Sequence, residues 1–537
     1  MLLSRTLLVW LLPTAVVTAA PSTGSQGYVP RTLDDSIKAL GLENVVKQFL
    51  SPKQKRQNPT RACTAVCNAL RFSMPSDVYF PGSSPYSDSK NSYWAQQQSS
   101  VSPACFLAAK NTHSVAVALI LSQVARCPFA LRSGGHSDVP GASNSIQGVS
   151  IDLRAFNKIS LSADKKVATI GTGAKWAEVF QQLDPHQVTV AGGRSSGVGV
   201  GGLTLGGGVS YISGYSGLAC DSVLKFKVMM ADGQILEVDQ HSHPYLYFAL
   251  RGGGNNFGVV LQFEFETYPV GQVWGGFRVY PVETTKDAIN RGLTSYNENP
   301  PDRDFSIING VLAHNGSFLA TLIMSNAKPQ TPSALELNFK DLLKFKPLRD
   351  TTRITTIRNL TLEVGQSTPS GFRQQFTTAT YRNSAELQNY MVDIFMEEVK
   401  TIQGSISQPE GFLPAVAFQP VPKTVSSQFQ KRGGNALGLS SSDGPLIVVN
   451  ICFQWASAAD DKPILSAIRR LLDRTGEWAS TRGLLHHFEY MNYAAPYQKP
   501  ITSYGAENVR KLRRAQTMYD PRKVFEELQP GGFKLSM

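Results

Sequence analysis

Charge is scarce in this chain. Only 17% of its 537 residues are Asp, Glu, Lys or Arg, and although the formal balance is +12 with a pI near 9.3, the basic residues are scattered along the sequence. Without basic arms or stripes there is no concentrated field to hold a polyanion, so no nucleic-acid partner is expected. Histidine is scarcer still, with eight in all. His241-x-His243 and His486-His487 lack the HExxH or cysteine-rich spacing of a zinc site, and Cys63 with Cys67 lacks a second paired motif, so no metal is expected. Beyond the first 20 residues no window holds about 18 successive apolar residues, so no membrane span is expected either. Internal repeats and low-complexity segments are also missing. What is left is an ordinary globular composition, 42% hydrophobic and long enough for two or three cores.

Glycine, by contrast, is concentrated. Eleven of the 27 residues from Ala191 to Gly217 are glycine, a density at odds with regular secondary structure, because each costs roughly 0.5–1 kcal/mol relative to alanine inside a helix or strand. Such a run implies bare backbone N–H groups approaching a ligand, and a phosphate-bearing cofactor fits best. Gly197, Gly199 and Gly202 spell GxGxxG with Asp221 downstream, but Gly206 to Gly208 would break the helix that a dinucleotide fingerprint must open. The same glycines exclude a nucleophile elbow at Gly193-Arg-Ser195-Ser-Gly197. Upstream, the apolar run Pro128 to Leu131 reads as a short buried strand ending in Arg132-Ser133-Gly134-Gly135-His136-Ser137, a donor-rich turn with a histidine at its tip.

RSGGHS at 132–137, GVGVGGLTLGGG at 197–208, GLACD at 217–221, RGGGNNFGVV at 251–260 and the C-terminal YMNY and YDPRKVF together resemble the FAD-linked oxidases of the vanillyl-alcohol oxidase type, in the branch that contains berberine bridge enzyme and many fungal secondary-metabolite oxidases. The resemblance implies an α+β fold: a two-part FAD-binding domain of the PCMH type and an antiparallel-sheet substrate domain covered by helices. It implies FAD held covalently through His136 and cradled by Arg132, Ser133, Gly134, Gly135, Ser137, Gly197, Val198, Gly199, Gly202, Gly207, Gly208, the backbone near Val260, and Asn492. It also suggests a Cys67–Cys105 disulfide. Many members tether the flavin a second time through a cysteine, and the matching position here is Ser195, so a single link is expected. Cys220 is expected to be a small buried residue.

The first 19 residues read as a secretory leader, with one positive charge, an apolar core and small residues at the end. Residues 20–98 form an N-terminal segment that includes the dibasic stretch Lys53 to Arg56, a processing site or a solvated linker. Secretion would permit disulfides among Cys63, Cys67, Cys105 and Cys127, and glycosylation at Asn315 and Asn359. Helix and strand periodicity places the FAD-binding domain at 99–271, with a hairpin at Ala231-Asp232-Gly233. The substrate domain is placed at 272–483, with a helix expected over Ala334 to Phe345 and a mobile loop over Gly433 to Gly444. Residues 484–537 are expected to return to the FAD-binding domain.

The expected chemistry is dehydrogenation of a small secondary metabolite, with O₂ as acceptor and with cyclisation as a further outcome. Val198 stands where some relatives control oxygen access, and its small side chain implies an open path. Tyr490 is nominated as the base or its hydrogen-bond partner, against a packed core tyrosine. Asn450 is a second candidate, sharing a strand face with Val448, Cys452 and Gln454. A carbohydrate oxidase on the same scaffold, and a flavin-containing binding protein without turnover, are the competing readings.

Overall fold

The computed structural model describes residues 28–50 and 59–536, so the expected leader and the Lys53 to Arg56 stretch lie outside the described residues. Three sheets organise the chain. The first runs Val78–Tyr79, Cys105–Ala108, Val149–Asp152, Phe129–Arg132, parallel except for its first pair. Helices Pro59–Ser73 and Thr112–Ala125 pack against it, and the second of these is buried along almost its whole length, as its apolar run Val115 to Val124 requires. Two disulfides, Cys63–Cys127 and Cys67–Cys105, staple helix Pro59–Ser73 to this layer.

The second sheet is antiparallel, in the order Ile159–Leu161, Val167–Gly171, Val259–Tyr268, Val223–Met229, Ile235–Val238. Its last pair is the expected hairpin, in which Gly233 takes φ +83 while Met230 N–H donates to Gln234 O. Helix Trp176–Leu183 covers this sheet with Trp176, Val179, Phe180 and Leu183, an i, i+3, i+4, i+7 stripe.

The third sheet carries nine antiparallel strands, with Leu413–Val421, Leu446–Trp455 and Arg373–Arg382 adjacent. Helices Val282–Glu298, Ala385–Gln403 and Asp461–Ser480 bury one face, where Ile447, Val449, Ile451, Phe453 and Trp455 point. The alternate residues of the same strand face the glycine loops, because side chains switch sides at every position. The strand Arg373–Arg382 is open on its outer side at 374–378, and three side chains from elsewhere close it. The N–H groups of Gln374, Phe376 and Thr378 donate to Gln97 Oε1 (3.1 Å), Asp138 Oδ2 (2.7 Å) and Gln498 Oε1 (3.0 Å). Unpaired strand edges otherwise invite foreign strands. Here they fasten the sheet to the glycine-loop side of the molecule.

Asp138 gives this junction a pH dependence. Burial raises its pKa from 3.8 to about 7, against the pull of the Phe376 N–H. A raised folded-state value means that its contribution to stability is full below about pH 4 and is lost as pH rises through about 7. Unfolding free energies measured from pH 4 to 8 should therefore fall in wild type relative to Asp138→Asn, by up to about 1.4 kcal/mol per pH unit. Parallel curves would refute the assignment.

Two expectations need correction. The stretch Ala334 to Phe345 is not one helix but Ala334–Asn338 followed by a short 3₁₀ turn at Leu342–Lys344, because the buried Phe339 ring turns in against Gly292 between them. Gly433 to Gly444 is not a free loop at its start. Asn435, Ala436 and Leu437 are buried, and Arg251 holds the approach to them through the carbonyls of Lys431, Arg432 and Gly434.

Candidate active site

The first loop leaves strand Phe129–Arg132 and turns at Gly135, which takes φ +72. Gly134 and Gly199 lie backbone against backbone: a Cβ on either would collide with the other. The two glycine loops are therefore one unit. The amides of Gly134, Gly135, His136 and Ser137 have no acceptor among the described residues, and successive free N–H groups at a left-handed turn form an anion-binding concavity.

His136 stands at the tip with its ring stacked on Trp94, centroids 4.1 Å apart and planes 10° apart. Trp94 is anchored by its N–H to Gly135 O and by its indole Nε1–H to Thr368 O. Burial lowers the His136 pKa to about 4, with Lys175 adding a smaller push in the same direction, so the imidazole is neutral at physiological pH. A Cβ on Gly197 would rest 3.5 Å from His136 Cδ2, and one on Gly202 would meet no protein atom within 4 Å. Packing does not explain glycine at Gly202, whereas a group lying on the loop would.

The second loop is less irregular than its composition predicts. Six residues, Val200–Leu205, form a helix that buries Val200 and Thr204, and it stops at Gly206 before Gly207 and Gly208 take φ +114 and +89. Burial outweighs weak propensity over these six residues. The positive φ values turn the Gly208 and Val209 amides toward Tyr490. Its hydroxyl accepts from Gly208 N–H (2.9 Å), Val209 N–H (3.2 Å) and Asn492 Nδ2–H (3.1 Å), and donates to none of the described residues. Asn492 is locked in turn by Leu203 O and by the space that Gly206 leaves for its Oδ1. Tyr490 is 3% exposed. Burial raises its pKa, while the Asn492 and Gly208 donors and the nearby Arg194 charge pull it down. The net effect is upward, so the resting group is the phenol, and its three N–H donors reduce without cancelling the cost of forming the phenolate.

Opposite lies the sheet face carrying Phe376, Thr378, Ala415, Ala417, Gln419, Asn450 and Cys452. The alanines leave a recess in it. Asn450 is 7% exposed and its buried Oδ1 has no partner among the described residues, an unmade hydrogen bond that costs roughly 1–3 kcal/mol until something donates to it. Burial pushes the Cys452 thiol up to about 12, so it is not a nucleophile here. A ladder of rings spans the two walls, from Trp94 through Phe376 and Tyr493 to Tyr490.

The structure thus brings Ser133, Gly134, Gly135, His136, Ser137, Gly197, Val198, Gly199, Gly207, Gly208, Tyr490 and Asn492 together, with Asn450 facing them. The Arg132 side chain packs behind the turn, and Val260 keeps available only its backbone, the part expected to cradle the cofactor. The Arg132 guanidinium is 1% exposed, donates to Ser89 O and Ser92 O and lies on the Tyr93 ring, so it shapes the turn from behind. The Val260 side chain lies in the core of its sheet, leaving only its backbone for a ligand. Cys220 is buried, as expected. Sequence reasoning missed Trp94, Asp138, Arg194, Phe376, Gln419 and Tyr493. Arg194 and Tyr493 stand inside motifs already quoted, but Trp94, Phe376 and Gln419 carry no local signal.

Among the described residues no cluster of His, Cys, Asp and Glu could hold a metal ion, and no helix is long and apolar enough to cross a membrane. Residues 103–239 match the FAD binding domain family. The chain is 40% identical over 449 residues to an FAD-dependent monooxygenase of Fusarium proliferatum (strain ET1), covering 82% of this chain and 87% of that one. It is 38% identical over 486 residues to another from Cochliobolus heterostrophus (88% and 94% covered). In fold it is similar to berberine bridge enzyme from Eschscholzia californica, with a TM-score of 0.69 at 17% identity, covering 86% of this chain and 97% of that one.

Proposed function

The chain belongs to the family of FAD-dependent oxidoreductases that contains these fungal monooxygenases, and from that membership we propose that it oxidises a carbon of a small organic metabolite, with FAD tethered through His136, Tyr490 as proton acceptor and dioxygen as final electron acceptor. Bound FAD supplies the two-electron acceptor. The amides of Gly134 to Ser137, with those of the second glycine loop, would hold its pyrophosphate. The neutral His136 ring, clamped on Trp94, would hold the flavin through its lone-pair nitrogen, and Ser195 would offer no second attachment. Val198, partly buried in the second glycine loop, would leave room for dioxygen with its small apolar side chain.

The Tyr490 hydroxyl carries the reading. A proton leaving the substrate arrives at Tyr490 Oη, and the phenol that results keeps the Gly208 and Asn492 donors. Burial keeps the resting hydroxyl protonated, so the base form is reached on the alkaline side, where the three N–H groups already stand in place to hold the phenolate. Asn450 Oδ1 accepts from a substrate hydroxyl and so aims the carbon beside it. Both disulfides support secretion, since such bonds persist in oxidising compartments, and Asn315 stands exposed at a hairpin tip where a glycan has room.

The test is the visible spectrum before and after acid precipitation. Yellow colour is expected to stay in the wild-type pellet and to be released from His136→Ala. Flavin freed from wild type by acid would sink the covalent link. The relatives' names favour a second reading, in which one atom of dioxygen enters the product. Labelled dioxygen separates the two: label in peroxide supports oxidase chemistry, label in the product the alternative.

A further inference from the structure

Among the described residues Arg194 has no carboxylate partner. It stands in the second glycine loop, and its backbone carbonyl accepts from Tyr211 OH. Its Nη2 donates to Gln419 Oε1 (2.5 Å) and to Tyr493 OH (3.0 Å), and Tyr493 OH itself donates to the same Gln419 oxygen (3.2 Å). Among the described residues no Asp or Glu lies within ion-pair distance. Both acceptors use one nitrogen. The N–H groups on Nε and Nη1 are neither bonded to protein nor sealed from solvent, unlike the buried Nε atoms of Arg132 and Arg358.

A guanidinium fixed along one edge and open along the other is prepared for a planar oxyanion, because its N–H groups form a fork that fits two oxygens or one delocalised oxygen. Position points the same way. Gln419 belongs to the sheet face that carries the alanine recess and Asn450, and the Tyr493 ring lies edge-on to Tyr490, 4.9 Å between centroids. The open edge of Arg194 therefore borders the volume between Tyr490 and the recess. An uncompensated cation there favours a substrate that brings its own negative charge.

We infer that Arg194, aimed by Gln419 and Tyr493, binds an anionic oxygen of the substrate, a carboxylate or a phenolate, at the edge of the recess. This inference rests on the substrate chamber assigned above. It makes Arg194 a binding residue and Gln419 and Tyr493 positioning residues. A neutral carbohydrate would leave the cation unmatched.

The experiment is calorimetric titration of the full-length purified protein with matched pairs: benzoate against benzamide for the carboxylate source, pentafluorophenolate against pentafluoroanisole for the phenolate source. The visible spectrum of the same sample is recorded alongside. Wild type is expected to bind at least one anion about 10- to 100-fold more tightly than its neutral match, the span of one to two charge-assisted hydrogen bonds. The preference should vanish in Arg194→Gln, persist in weaker form in Arg194→Lys, and shrink in Tyr493→Phe. The pair that shows it names the oxyanion. Equal binding of anion and neutral match by wild type, no binding of any probe, or an undiminished preference in Arg194→Gln would each overturn the inference. A colourless sample would overturn the cofactor reading instead, while the titration would still decide the role of Arg194.

Discussion

Tyr490→Phe is expected to lower turnover by about 10²- to 10⁴-fold, the range a positioned proton acceptor contributes, while the protein stays yellow after acid precipitation. The lost oxygen is the one that collects the Gly208, Val209 and Asn492 donors. Its removal leaves those donors unpaired, at a cost of roughly 1–3 kcal/mol each where water cannot replace it, so some stability goes too. A rate–pH profile separates the two effects. The base acts deprotonated, so the wild-type rate should rise with pH, and burial places that rise on the alkaline side. The variant's residual rate should lose this limb. Full turnover with an unchanged profile would make Tyr490 a packing residue only.

The second large effect is on stability. Asp221 and Arg251 form an ion pair at 3.1 Å with both side chains fully buried. Asp221 Oδ1 also accepts from Asn435 Nδ2 (2.8 Å), and its other oxygen accepts from Leu218 N–H (2.9 Å). Arg251 spends its remaining donors on the carbonyls of Cys220, Lys431, Arg432 and Gly434. Asp221→Asn removes the only charge that compensates this guanidinium among the described residues, and breaking one side of a buried pair costs about 3–5 kcal/mol. Denaturant unfolding should show this as a lower midpoint. The double variant with Arg251→Met should lose less than the two single losses combined, since no bare charge is then left inside. Additive losses would show that the two residues act separately. The damage should reach the site, because Leu437 follows this loop and lies over Gly207 and Gly252.

Legibility in the sequence followed the range of each interaction. The helix Trp176–Leu183 and the Asp232-Gly233 hairpin are local patterns, and both stand where periodicity and turn chemistry put them. The six-residue helix Val200–Leu205 is the opposite case. Its glycines argue against it, and it exists because Val200 and Thr204 are buried against neighbours distant in sequence. Arg132 shows a further failure: a motif names the residue without saying which way its side chain points, and here it points to Ser89 and Ser92.

What the sequence alone determined is the kind of chemistry. Glycine density around positions 134–135 and 191–217, a histidine at the tip of one loop and a YMNY segment near the end specify bare amides, an imidazole ring and a phenol, because each depends on residue type and short spacing. Tertiary structure decided what those groups face. Trp94 comes to lie on His136 from 42 positions away, Gln419 meets Arg194 across 225, and Tyr490 meets the Gly208 amide across 282. Contacts of that span are set by how sheets stack and which strand face is buried. No local pattern in the chain encodes them, so the partners of each reactive group emerge only in the folded chain.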